Sequence, residues 1–127
     1  MVREISRTTV VEIKGVKKEM KPATGMVNAI FGGDWDDGDL SPSIHNKLLE
    51  TIEGIKSTYK NGKPKYTDRH CRVLLLRFGF EDGRVHSLRE IGEELNISSA
   101  RVGQILNKSL RMLRHPSRSQ ILKGYIL

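Results

Sequence analysis

Acidic side chains are missing from the last quarter of this chain, where no Asp or Glu occurs between residues 96 and 127. Basic side chains recur through the same stretch, at Arg101, Lys108, Arg111, Arg114, Arg118 and Lys123. A surface with positive charge and no carboxylates attracts a polyanion over its whole area, because no like charge repels the ligand. The composition of this segment therefore points to a negatively charged partner.

Cysteine, aromatic residues and long apolar runs are also scarce. The single cysteine, Cys71, excludes an internal disulfide and fits a reducing compartment. Aromatic residues make up 6% of the chain, so the core has to be mainly aliphatic. No apolar run approaches the roughly 20 residues that span a bilayer, and charges occupy the N-terminus where a signal peptide needs an apolar segment. These features predict a soluble protein of the cytoplasm without a membrane partner.

Charge is distributed unevenly between the two halves of the chain. Residues 60–127 carry 14 Lys and Arg against 6 Asp and Glu, a net charge of +8, whereas residues 1–59 have a net charge of −1. The excess of +7 in the whole chain therefore belongs to the second half. A nucleic-acid interface is expected in such a basic segment.

The first 42 residues are interpreted as an N-terminal appendage with an acidic loop. The β-branched residues 8–13 favour a short strand, and residues 23–31 favour a short helix. Residues 32–39 are rich in Gly and Asp, which favours turns over regular structure.

The acidic loop partly resembles a calcium-binding EF-hand loop. Asp34 and Asp36 fit its first two ligand positions, but Gly38 occupies the third and His45 replaces the distal Glu. No nucleophile or base is spaced to accompany these carboxylates in a catalytic site. We therefore expect this loop to be an acidic linker that binds no metal. For the protein as a whole we expect no cofactor and no enzymatic activity.

Beyond residue 42, apolar residues repeat with helical spacing. This pattern predicts a helix over residues 43–59 and another over residues 68–78. Thr67 can cap the start of the second helix, and Gly79 is a suitable residue to end it.

Two further helices are predicted from their capping residues. Ser87 and Glu90 form a capping box, in which each side chain accepts a hydrogen bond from the other residue's backbone amide. Ser98 can cap a long last helix that runs to about residue 114, where His115-Pro116 ends it.

Residues 88–105 have the pattern of a helix-turn-helix, in which two helices pack at a steep angle across a tight turn. Gly92 lies where the two helices would approach most closely, so a side chain there would clash. Asn96 occupies the turn and tolerates a left-handed backbone. The inward-facing apolar positions are Ile91, Leu95, Ile97, Val102 and Ile105.

The second helix of this unit has a free face of small and neutral side chains, which would let it enter a major groove closely. The candidate base-reading residues are Ser99, Ala100, Gln104 and Asn107. The candidate phosphate contacts are Arg101, Lys108, Arg111, Arg114 and Arg118. Among the first group, Gln104 can make a bidentate contact with adenine. A basic helical domain that binds a protein instead of DNA remains the alternative.

Motifs across the second half are similar to region 4 of the sigma-70 family, the primary sigma factors of bacterial RNA polymerase. The segments LRFGFEDG (76–83), EIGEEL (90–95) and LRHPSRS (113–119) stand in the family's order and spacing. The resemblance covers about residues 66–125. It implies a four-helix domain that docks on the β-flap of RNA polymerase and reads the −35 promoter element.

The recognition helix departs from the family pattern at two positions. Ser99 and Ala100 occupy the places where the family reads bases with Arg and Glu, while Gln104 is retained. A bidentate Arg–guanine contact discriminates by roughly 1–3 kcal/mol, and neither Ser nor Ala can replace it. Gly103 also costs about 1 kcal/mol inside a helix relative to Ala.

Together these observations predict an all-α fold, a small helix-turn-helix domain of about four helices over residues 43–127 with the appendage before it. The predicted function is a transcription regulator that binds double-stranded DNA near the −35 element and docks on the bacterial RNA polymerase core. The alternative is a protein-interaction module that binds the polymerase flap, another sigma subunit or a sigma-binding protein without reading DNA. In that case the acidic loop could mask the basic face.

Overall fold

A computed structural model describes residues 9–13, 16–55, 59–60, 63–64 and 68–127. The helices of these residues are α1 (Pro22–Phe31), α2 (Ile44–Ile55), α3 (Asp68–Phe78), α4 (Leu88–Leu95), α5 (Ser99–Leu113) and α6 (Pro116–Lys123). Strands occur there only in two antiparallel hairpins, β1 (Thr9–Ile13) with β2 (Val16–Met20) and β3 (Tyr59–Lys60) with β4 (Lys63–Pro64). The predicted all-α fold is confirmed, because helices supply the core.

Several predicted elements agree with the structure. The expected strand at residues 8–13 is β1, and the expected helix at residues 23–31 is α1, which begins at Pro22. Proline is favoured at the first position of a helix, where its missing amide N–H costs no hydrogen bond. Gly79 has a φ of 83°, as expected for a residue that ends a helix, while Thr67 lies outside the described residues.

The prediction that the helix over residues 43–59 extends to residue 59 is wrong. α2 ends at Ile55, and Tyr59 pairs with Pro64 as the first residue of β3. The sequence Asn61-Gly62 between these strands is a strong signal for a tight hairpin turn. Residues 56–58 lie outside the described residues.

The prediction that the helix from Ser98 is the last one is also wrong. α5 ends at Leu113, close to the predicted end, but Pro116 is the first residue of α6 and does not stop the helical structure. The ring nitrogen Nδ1 of His115 accepts a hydrogen bond from the amide of Ser117 at 3.3 Å and caps this additional helix.

The buried hydrophobic side chains of the described residues form two clusters. The larger cluster joins side chains of α1, α2, α3, α5 and α6, with Met26, Leu48, Leu74, Leu113 and Leu122 fully buried. The smaller cluster fills the helix-turn-helix and consists of Val73, Leu76, Ile91, Val102 and Ile105, with Leu88, Leu95 and Ile97 packed against it. Each inward-facing residue predicted for the helix-turn-helix therefore belongs to this second cluster.

Residues 20–42 pack tightly against the rest of the fold. Met26 and Val27 of α1 are fully buried in the larger cluster. The guanidinium of Arg114 donates to the carbonyl oxygens of Ile30 at 2.7 Å and Ala29 at 2.9 Å, which ties the end of α5 to the end of α1. A domain boundary at residue 42 stays a prediction, and this packing favours a unit that begins near residue 20.

Gly92 and Gly103 offer a matched pair of substitutions. A Cβ at Gly92 would lie 2.6 Å from the carbonyl oxygen of Ile97, whereas a Cβ at Gly103 would make an ordinary 3.7 Å contact with Leu88. We expect Gly92→Ala to lower the free energy of unfolding by roughly 1–3 kcal/mol through overpacking. We expect Gly103→Ala to raise it by about 0.5–1 kcal/mol through helix propensity.

Denaturant unfolding followed by circular dichroism measures both changes. Equal effects of the two substitutions would contradict the close approach at Gly92.

Candidate nucleic-acid interface

The turn between α4 and α5 has the geometry that its sequence predicts. Asn96 adopts a left-handed conformation, with φ 57° and ψ 47°, and is the only described non-glycine residue with positive φ. The amide of Ile97 donates to the carbonyl oxygen of Gly92 at 2.9 Å. The chain reverses over so short a distance that the Gly92 position has no space for a side chain.

Side-chain caps fix the beginnings of both helices. Ser87 Oγ accepts from the amide of Glu90 at 3.1 Å, and Glu90 Oε1 accepts from the amide of Ser87 at 3.2 Å. The hydrogen bonds that the Glu90 carboxylate accepts from the backbone amide and from the side chain of Ser87 lower the pKa of Glu90. Ser98 Oγ accepts from the amide of Arg101 at 3.1 Å. The predicted capping box and the predicted cap of α5 are therefore both present.

The outer side of α5 is exposed over its first three turns. We call Ser99, Ala100, Gln104 and Asn107 the reading face, and all four are exposed. Val102 and Ile105, on the opposite side, are buried in the smaller core cluster. The scaffold therefore presents all four candidate base-reading residues to solvent, although their role in reading bases stays a prediction.

The five candidate phosphate contacts divide into two groups. Arg101 and Arg111 are exposed and Lys108 is half-buried beside the reading face. Arg114 instead binds the end of α1, and Arg118 Nη1 donates to the carbonyl oxygen of Met112 at 3.1 Å. These bonds stabilise the fold, so the first three cations are the better candidates for binding phosphate.

Arg69 belongs to the same cationic surface, although the sequence pattern does not reveal it. Its neighbour His70 is buried on α3 with 9% of its surface exposed. Burial lowers the pKa of His70, and the charges of Lys108, Arg101 and Arg69 lower it further. The charges of Arg69 on α3 and of Lys108 and Arg101 on α5 therefore all act on His70. Only the packing of α3 against α5 brings these residues together.

Carboxylates are concentrated on the other side of the helix-turn-helix, where they are paired. Arg72 Nη2 lies 2.9 Å from Glu94 and 3.5 Å from Glu81, so it joins α3 to α4 and to the preceding loop. Arg84 pairs with Glu90 at 3.1 Å. Among the described residues, no ion pair involves the α5 cations, whose charge is therefore available to a ligand.

His86 holds the loop before α4. Its Nε2 lies 2.8 Å from Asp82 Oδ2, and its backbone carbonyl accepts from Arg77 at 2.9 Å. Burial alone would raise the pKa of Asp82, but the hydrogen bonds from His86 and from the amide of Arg84 hold it below its ordinary value. The loop is thus fixed against α3 and α4.

The acidic loop at residues 34–39 is bound to the N-terminal part of the fold. Asp37 Oδ1 accepts from the amide of Lys21 at 2.9 Å and from Thr24 Oγ1 at 2.6 Å, which holds the loop against the start of α1. The carbonyl oxygen of Asp39 accepts from the amide of Leu127 at 2.8 Å. Within the described ranges, no group of three or more His, Cys, Asp or Glu could hold a metal ion.

A groove between α2 and α3 forms a second surface, which we call the docking groove. Its volume is about 560 Å³, and its apolar lining consists of Leu49, Ile52, Cys71 and Leu75. The charged residues around it are Glu53, Asp68, Arg72 and Glu81. Leu49 and Leu75 are half-buried, so part of each side chain is open to a partner.

No helix in the described part of the chain is long and apolar enough to cross a membrane.

Residues 66–115 match the family model described as sigma-70, region 4. The resemblance inferred from the motifs is therefore confirmed for this segment. Region 4 of this family is a non-enzymatic domain of transcription factors, which agrees with the prediction that the segment is not an enzyme.

Three similar proteins are all named RNA polymerase sigma factors. SigA1 of Synechococcus elongatus is 47% identical over 81 residues, which are 64% of this chain and 18% of that protein. SigA of Clostridium acetobutylicum is 53% identical over 60 residues, 47% of this chain and 16% of that protein. SigA of Listeria monocytogenes is 42% identical over 94 residues, 72% of this chain and 23% of that protein.

The aligned lengths show how much of each protein is similar. The chain spans only 16% to 23% of these relatives. A match that covers 72% of the chain is too long for residues 60–127 alone, so the similarity to sigma factors begins before residue 60.

The environment of His70 predicts a pH dependence. Since its pKa is lowered in the folded protein, the unfolded chain binds a proton first as the pH falls below about 6.5. His70 therefore leaves stability unchanged above that pH and reduces it progressively below. A ring-proton NMR titration, assigned with His70→Gln, should give a midpoint below about 6.5.

Added salt should raise this midpoint, because it screens the three neighbouring cations. A midpoint at or above the ordinary value, or one that salt does not move, would contradict the described surroundings of His70.

Proposed function

We propose that this chain is a DNA-binding transcription regulator of the sigma region 4 type, which docks on bacterial RNA polymerase in the cytoplasm and contacts promoter DNA near the −35 element. One observation carries the proposal. The helix-turn-helix has its sequence-predicted turn and caps, and it exposes an acid-free helix within the segment that matches region 4.

The geometry of α5 suits the major groove, which admits one α-helix. Its first turn carries Ser99 and Ala100, whose small, exposed side chains allow the backbone to approach the base edges. The amide groups at the helix N-terminus add partial positive charge toward the phosphates. Arg101, Lys108 and Arg111 then supply full charges beside the reading face.

Positive charge on α3 as well as on α5 supports the orientation in which α5 enters the major groove. The charges of Arg69 at the start of α3 and of Lys108 and Arg101 on α5 all act on His70, which lies where α3 packs against α5. In helix-turn-helix proteins the recognition helix enters the groove while neighbouring elements contact the backbone. Arg69 is therefore proposed as a further phosphate contact, made from outside the recognition helix.

The docking groove supports binding to polymerase. Relatives of this chain are named RNA polymerase sigma factors, and the groove offers an apolar floor of a kind that an amphipathic helix can cover. Its place between α2 and α3 leaves α5 free, so one molecule can bind polymerase and DNA together. We propose the β-flap as the partner.

The second candidate function, a protein-interaction module without base reading, rests on Ser99 and Ala100. Neither side chain can make the bidentate contacts that give strong base discrimination. The docking groove would then be the working surface. The acidic loop is an unsuitable mask for the basic face, because the Asp37 carboxylate accepts from Lys21 and Thr24 at the start of α1 and the Asp39 carbonyl accepts from Leu127.

Salt dependence tests the contact with DNA. Each phosphate that a cation neutralises contributes a slope of about −0.9 to log K against log salt. We expect Lys108→Ala to reduce the slope by about one unit and to weaken binding to all duplexes alike. Lys47→Ala is the matched control, since Lys47 lies on α2 and is paired with Glu50 at 3.2 Å.

Fluorescence anisotropy with a labelled duplex over a range of salt concentrations measures both slopes. An unchanged slope for Lys108→Ala, or an equal change for Lys47→Ala, would refute the assignment of Lys108.

Polymerase binding is tested at the docking groove. Leu75→Glu places a charge in the apolar lining and should reduce capture of core polymerase about tenfold or more, because an unpaired charge is costly to bury. Its affinity for DNA should not change. Gln104→Ala is the reciprocal variant, expected to alter DNA binding and to leave capture of polymerase unchanged.

Circular dichroism melts establish that both variants are folded. Normal capture of polymerase by folded Leu75→Glu would exclude this groove as the docking surface.

A further inference from the structure

We propose that Arg101 and Gln104 act as one composite hydrogen-bond donor that selects guanine over adenine at the base pair they face. This inference rests on the proposed function, since it requires α5 to enter the major groove. It revises two expectations, namely that Gln104 reads adenine by itself and that Arg101 contacts a phosphate. The observation behind it is a hydrogen bond from Arg101 Nη1 to Gln104 Oε1 at 3.2 Å.

The chemistry of this bond fixes the orientation of the Gln104 amide. A guanidinium group has only donors, so its partner on Gln104 has to be the carbonyl oxygen. The Nε2 group, with its two N–H donors, then lies on the side of the amide away from Arg101. The joined pair therefore offers N–H donors from both residues, and its one good acceptor is already occupied on the side of Arg101.

Adenine fits this arrangement poorly. Reading adenine requires Gln104 to accept from the base N6 amino group while it donates to N7. With Oε1 turned toward Arg101, the N6 donors would meet the guanidinium donors instead. Adenine can bind only if the charge-assisted bond from Arg101 to Gln104 breaks, which leaves the guanidinium without its acceptor.

Guanine fits both members of the pair. It presents two adjacent acceptors, N7 and O6, on its major-groove edge, and no other base does so. Nε2 of Gln104 can donate to one acceptor while a remaining N–H of Arg101 donates to the other. The Oε1 bond is kept, so recognition of guanine requires no rearrangement of the pair.

The surroundings of Arg101 and Gln104 favour retention of their hydrogen bond when α5 lies in the major groove. Both side chains are exposed on α5, and the adjacent positions Ala100 and Gly103 carry no polar group that competes for either one. None of the ion pairs among the described residues involves Arg101, so no carboxylate competes with Gln104 for its guanidinium. On the free surface such a pair is weak, but exclusion of water by DNA strengthens a charge-assisted bond.

The test is selection of binding sites from a randomised duplex, followed by affinity measurements on duplexes that differ at one base pair. For the wild type we expect guanine to be preferred over adenine by about tenfold at one position. Arg101→Met removes the donors and keeps a long stem, so it frees Oε1 of Gln104 and should shift the preference at that position to adenine.

Arg111→Met is the matched control, since it removes the same charge from α5 farther along the helix. It should weaken binding to every duplex while the preference for guanine remains. Gln104→Met should reduce the discrimination, because one of the two donors is lost.

Each contrary result has a distinct meaning. A wild-type preference for adenine, equal binding of all bases, or a guanine preference that survives in Arg101→Met would overturn the composite donor. Failure of the wild type to bind any duplex would overturn the proposed function itself and with it this inference.

Discussion

The contact between Gly92 and the turn before α5 is the constraint on which the interface depends. Because Gly92 has no side chain, the carbonyl group of Ile97 can lie against α4. A Cβ at Gly92 would be only 2.6 Å from the carbonyl oxygen of Ile97. That approach sets the crossing of α4 and α5, and the apolar cluster around Ile91 and Val102 stabilises it. The exposure of the reading face follows, since burial of Val102 and Ile105 turns the other side of α5 outward.

Pairing of charge separates the two sides of this unit. The carboxylates of α4 and the preceding loop pair with Arg72, Arg84 and Arg89, so they are neutralised within the fold. The cations of α5 have no such partners among the described ion pairs. The lowered pKa of His70 is a consequence, because burial and three nearby cations disfavour another positive charge. The fold therefore retains its positive potential where a polyanion would bind.

The sequence predicts the helix-turn-helix well, because Gly92, Asn96 and the two serine caps affect only residues that are near them in the sequence. The same reasoning misses α6, because His115-Pro116 is expected to end the helical structure although proline also suits a helix start. It misses β3 because the apolar repeat is extended past Ile55 to residue 59, although the hairpin signal Asn61-Gly62 follows directly. The sequence pattern does not reveal long-range packing. The bonds of Arg114 to α1 and the effect of the α5 cations on His70 depend on how helices distant in sequence meet.

The central claim is that the exposed face of α5 is the surface that contacts duplex DNA. Titration of isotope-labelled protein with duplex DNA, followed by amide chemical shifts, tests it most directly. The account predicts that the largest shifts occur from Ser98 to Lys108 and around Arg69, with little change in α2 or in the docking groove. Shifts centred on α1, α2 or α6, with α5 unaffected, would contradict it.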